Sequence, residues 1–291
     1  MPLLRNRGGG KRDCFTSFAM TGEKMEKRIG IGLGIIFLII FCGYVNAADV
    51  AKVKSTIIID HNCTDISKIP MQWIEAAKAK IKLHYAHTSH GGQILVGMEK
   101  IVKSEPGYSF IRKNKGLPAT TNSLAIFDGQ ENDTYITPEK YWASDAGRKA
   151  TQNVLDHNPE INLSMWSWCC QQNGNSEETV QKYLEAMDVF ERANPGVIFI
   201  YMTGNAQANS RNRYARNEQI RNYCKANQKI LFDFADLDCW YDGRQHLIGG
   251  IPVEHPRYKG NEAAHTTRES CEMKGRAFWW MMARLAGWEG K

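Results

Sequence analysis

One recurrence narrows what this chain can fold into. Short apolar runs alternate with helix-length amphipathic segments, and most runs end in a polar, turn-forming cluster. Val197–Met202 is the clearest, a continuous apolar stretch typical of a strand buried on both faces. Residues 81–86, 124–127, 161–168 and 230–234 also read as strands. After the first comes His87-Thr88-Ser89-His90-Gly91-Gly92, and then Ile94, Leu95, Met98, Ile101 and Val102 at helical spacing. A short helix over Ala146–His157 stops at Asn158-Pro159. Ser176 with Glu177 and Glu178 opens another, a capping hydroxyl followed by acids at the positive dipole end. An Arg-rich helix spans about 213–227, and an apolar one closes the chain over 271–285. Residues 105–145, rich in Gly, Pro, Asn, Asp and Thr, read as a long excursion holding only the strand at 124–127. Such alternation predicts an α/β fold, with a parallel sheet covered by helices on both faces.

Ahead of this pattern lies a different kind of segment. Lys24, Lys27 and Arg28 precede an uncharged, largely aliphatic stretch that ends at Val45-Asn46-Ala47. A positive region, an apolar region and a small-residue exit describe a secretory signal peptide over 1–47, cleaved after Ala47, with Met25 as an alternative start. An uncleaved anchor is the other reading, because about 20 apolar residues can span a bilayer. The expected product is a secreted or periplasmic single domain over 48–291, with no membrane association once the signal is removed. Of the net charge of +6, residues 1–47 carry most: seven Lys/Arg against three acids. The remaining +2 leaves no basic field for nucleic acid.

Export permits disulfides among Cys63, Cys169, Cys170, Cys224, Cys239 and Cys271. Cys239 and Cys271, flanking one late loop, are the favoured pair; of the adjacent Cys169 and Cys170, at least one is expected to pair at a distance or stay a buried thiol. No zinc-type cysteine spacing occurs. Asn62, Asn132 and Asn162 match the glycosylation pattern, although Asn162 falls in a stretch read as a buried strand.

In a parallel α/β sheet the ligand crevice lies beyond the carboxyl ends of the strands. Three polar clusters fall there, 87–92, 169–174 and 203–207, and a fourth, Asn261-Glu262-Ala263-Ala264-His265, precedes the last helix. Ser89 is a candidate nucleophile, since Gly91 and Gly92 permit a tight turn and the following helix offers N–H donors to an oxyanion. His265, three residues after Glu262, is the candidate base. Ser89 also has an ordinary role open to it, as a helix cap.

The order of these clusters resembles the SGNH (GDSL-like) hydrolase superfamily. The resemblance covers roughly residues 80–290 and rests on Ser89 in His-Thr-Ser-His-Gly, Asn205 in Thr-Gly-Asn, and Glu262-Ala-Ala-His265. It implies a three-layer α/β/α sandwich with a mostly parallel, flavodoxin-like sheet of about five strands. It further implies a cofactor-free, metal-free serine esterase: Ser89 attacks, His265 takes the proton, Glu262 orients the imidazole, and the Ser89 N–H with the Asn205 amide binds the oxyanion. Gly91, His87, His90, Gln171, Gly174 and Gly204 would line the pocket. The implied substrate is a small-molecule or polysaccharide ester, with acetylated carbohydrate a natural candidate. Departures from the family pattern are the missing Gly-Asp lead, Glu262 for aspartate, and Cys-Cys-Gln-Gln-Asn-Gly at the glycine position. Two further functions stay open: a glycan-binding protein without turnover, and a metal-dependent hydrolase using His84, His87 and His90 with His255 or His265. Asp233, Asp236 and Asp238 are alternative acids for His265, and Trp142, Trp240 and Tyr241 are available to stack on sugars.

Overall fold

A computed structural model describes residues 56–290; the signal-peptide reading over 1–47, with Cys14 and Cys42, lies outside them. Along the chain come β1 (Ile57–Ile59), α1 (Met71–Lys80), β2 (Lys82–His87), α2 (Gly92–Ser104), β3 (Phe110–Asn114), β4 (Leu124–Asp128), α3 (Pro138–Tyr141) and α4 (Asp145–His157). Then follow β5 (Leu163–Ser167), α5 (Glu177–Ala193), β6 (Ile198–Met202), α6 (Arg211–Ala226), β7 (Ile230–Phe232), α7 (Phe234–Cys239) and α8 (Arg268–Leu285). Two short hairpins lie between α7 and α8. Among the described residues no helix is long and apolar enough to cross a membrane.

All seven strands form one parallel sheet in the order β1-β7-β6-β5-β2-β4-β3, flanked by helices as an α/β/α sandwich. Its middle five, β4-β2-β5-β6-β7, have the flavodoxin-like order expected. Two edge strands go beyond the expected five. β1 is only three residues long, and β3 is almost wholly exposed, so neither presents a long apolar run to read. The inner strands β4 and β5 are buried along their whole length; β4 is apolar up to its final Asp128, and β5 buries Ser164 and Ser167 among its apolar residues.

The strand order reverses between β2 and β5, which lie side by side with His87 opposite Ser167. Crevices in this architecture open at such a reversal. Below it lies an aromatic wedge, in which Trp166 and Trp168 pack edge-on against Trp142 and Trp168 also against Tyr183. Trp142 is therefore core rather than a sugar platform.

Helix α2 crosses α8 with backbone against backbone. A Cβ on Gly97 would come within 1.9 Å of the Cys271 carbonyl oxygen, and one on Gly275 within 2.6 Å of the Gly97 carbonyl carbon. Only glycine fits at either position.

All six described cysteines are free thiols, which corrects the Cys239–Cys271 expectation. Cys239 donates from α7 to the Ala235 carbonyl and Cys271 from α8 to the Ala263 carbonyl, so each thiol already has a local acceptor. Asn162 is buried, with its amide bonded to the backbone of Lys80 and Lys82, and serves no glycan.

Candidate active site

The reversal point brings the turn after β2 against the end of β5. Thr88-Ser89-His90 enters α2, and Gly91 holds the turn down: a Cβ there would meet His87 Cβ at 2.4 Å and Ser167 Cβ at 2.8 Å. Cys169, two residues beyond β5, faces this turn. Its Sγ lies 2.9 Å from His90 Nδ1 and 3.5 Å from Ser89 Oγ. The other His90 nitrogen, Nε2, lies 2.9 Å from Gln207 Oε1. His90 is buried, Cys169 half-buried and Ser89 partly exposed.

Electrostatics polarise this pair. Partial burial pushes the Cys169 thiol up, but the hydrogen bonds from His90 and Ser89 and the His90 charge outweigh it and bring the thiol down to about 5. Burial pushes His90 down, and its bonds to Cys169 and Gln207 carry it net upward. Both shifts favour a thiolate–imidazolium pair beside the N-terminal end of α2, since histidine cations and helix N-termini both favour thiolate. Cysteine, imidazole and carboxamide stand in the order that a thiol counterpart of the serine triad would need.

Two neighbours hold Cys169 in place. Asn205 Nδ2 donates to the Cys169 carbonyl (2.8 Å), and the Cys169 N–H donates to Gln171 Oε1 (2.6 Å). The Asn205 amide is thus occupied in positioning the thiol-bearing residue. Among the described residues, the N–H groups of Ser89, His90 and Gly91 have no protein acceptor, so the turn itself carries free donors.

The late loop is arranged differently from its expectation. Glu262 Oε2 accepts from the Arg268 N–H at the start of α8 and makes no bond to His265. The His265 imidazole hydrogen-bonds no described residue; it stacks on His90 with ring centroids 5.0 Å apart. Asp233 binds Arg221, Asp236 binds His61 and Asp238 binds Lys274, so none serves His265.

His84, His87 and His90 go to three separate partners. His84 bonds Ser164 and the Gly129 carbonyl, while His87 bonds the Thr88 carbonyl and Asp128, which Arg112 also holds. His255 caps the short turn at 256–258 and stacks on Tyr241. The one three-ligand grouping among the described residues is Asp60, His61 and Asp236, away from this histidine cluster. Gly204 donates its N–H to Asn217, and Gly174 has open space where a Cβ would go.

Cys169 and Gln207 are the residues that sequence reasoning passed over. A signal existed: a cysteine just past one central strand, with a histidine in the turn after another. Compared with known proteins, the chain matches no family model and no curated sequence.

Proposed function

We propose that the protein is a thiol-dependent hydrolase of acyl esters, acting through an acyl-enzyme on Cys169. The observation that carries this is the Cys169–His90–Gln207 arrangement, with both ring nitrogens of His90 engaged at 2.9 Å. In the reaction, the Cys169 thiolate adds to the ester carbonyl, and the oxyanion is met by free N–H groups of the turn. Protonated His90 gives its proton to the departing alkoxide, leaving a thioester. Neutral His90 then takes a proton from water, whose oxygen attacks the thioester, and the acid leaves as the thiolate re-forms. Ser89 donates to the thiolate. Ester chemistry and action outside the cytoplasm agree with the SGNH resemblance and the signal segment, with the nucleophile moved one strand over.

The test is intact mass and peptide mapping after treatment with iodoacetamide or a fluorophosphonate near pH 6, with p-nitrophenyl acetate turnover followed in parallel. Alkylation confined to Cys169, with loss of turnover, is the expected outcome. A fluorophosphonate adduct on Ser89 with Cys169 free would return the nucleophile to serine.

A further inference from the structure

The loop before α8 carries backbone strain that its side chains do not explain. Ala264 and His265 are consecutive non-glycine residues in the left-handed region, at φ +47° and +70°. Such a backbone conformation is costly for a residue with a side chain and persists where the surroundings impose it. Here the strained turn presents two successive carbonyls to two glutamine amides. Gln93, at the start of α2, donates to the Ala264 carbonyl at 2.7 Å, and Gln207 donates to the His265 carbonyl at 2.7 Å. The turn is closed by paired backbone bonds between Ala263 and Thr266.

The His265 carbonyl decides which way Gln207 points. A carboxamide has one donor end and one acceptor end. Facing a carbonyl that can only accept, Gln207 must present its nitrogen there; Glu254, 3.4 Å from the same nitrogen, lies on that side too. The amide oxygen is then left for His90 Nε2, 2.9 Å away, which must carry the proton. Nδ1 of the neutral ring thereby keeps its lone pair toward Cys169.

We propose that Gln207 is a positioning residue for the Cys169–His90 pair, held in its working orientation by the backbone carbonyl of His265 rather than by any side chain of that loop. The inference rests on the thiolate reading above. The groups facing His90 are Cys169, Gln207 and the stacked His265 ring, with the Asp238 charge acting through space.

The test is the pH dependence of Cys169 alkylation by iodoacetamide, measured on the full chain. Wild type is expected to show a midpoint at about 5. Gln207→Ala should raise it by about one pH unit or more, a tenfold change in proton affinity. Ala264→Gly keeps every carbonyl of the turn, relieves the strain at that residue and leaves the His90 surroundings intact, and should leave the midpoint unchanged. An unchanged midpoint in Gln207→Ala, or a raised one in Ala264→Gly, overturns the proposal while the thiolate reading stands. A wild-type midpoint near 8.5, the ordinary value for cysteine, overturns both.

Discussion

Two histidines six residues apart are wired almost identically and are shifted in opposite directions. His84 sets Nδ1 against Ser164 Oγ at 2.9 Å and Nε2 against the Gly129 carbonyl at 2.9 Å. His90 sets Nδ1 against Cys169 Sγ and Nε2 against the Gln207 amide oxygen, at the same two distances. Full burial drives His84 down to about 4, only partly opposed by Gly129 and Asp128, so the ring stays neutral. His90 is raised because its partner is an acid strong enough to surrender a proton. A serine hydroxyl, unlike a thiol, does not ionise near neutral pH. Hydrogen-bond geometry alone therefore does not decide which way a histidine is shifted; the acidity of its partner and its access to solvent do.

The largest effect should come from making the second histidine resemble the first. Cys169→Ser replaces the thiol with the hydroxyl that His84 already faces, and ester turnover should fall about 10³-fold or more. Residual turnover within tenfold of wild type would leave the nucleophile elsewhere. Next, His90→Ala should move the alkylation midpoint of Cys169 from about 5 toward 8.5.

His84 should show itself only in stability. Its folded pKa is depressed, so the unfolded chain binds more protons between about 4 and 6.5. Its contribution is fully present above 6.5 and is lost as pH falls through that window, by about 3 kcal/mol in denaturant melts. Ser164→Ala strips one bond from His84 and another from Tyr141, and should cost about 1–3 kcal/mol without moving the Cys169 midpoint. Smallest of all, Ser89→Ala removes one of the donors to Cys169 and should slow ester turnover by less than about tenfold; the loss of a nucleophile costs far more.

The fold was legible where strands are buried on both faces. Val197–Met202 and Ile161–Trp168 appear almost as expected, as Ile198–Met202 and Leu163–Ser167, because strands buried on both faces are rich in apolar residues, broken in β5 only by the small buried Ser164 and Ser167. β3, with the sequence Phe-Ile-Arg-Lys-Asn, lies at an exposed edge and writes no such pattern. The site was legible as a set of strand ends, since His87–Gly92, Cys169–Gly174 and Thr203–Gln207 all reach one edge of the sheet. Two features hid the rest. In a chain read as exported, adjacent cysteines suggest oxidation before catalysis. The three-residue spacing of Glu262 and His265 suggests a side-chain pair, but the left-handed turn between them sends Glu262 to α8 and leaves the His265 carbonyl, not its ring, engaged with Gln207.

The glycine contact between α2 and α8 acts as a caliper. Immediately before α2 stand Ser89 and His90; immediately before α8 stands the turn whose carbonyl holds Gln207. The two jaws of the site are thus the leading ends of two rods clamped at Gly97 and Gly275. Their spacing is set partway along both helices, not at the site itself. A methyl group at Gly97 would act as a shim, prying the jaws apart with every side chain of the site unaltered in kind.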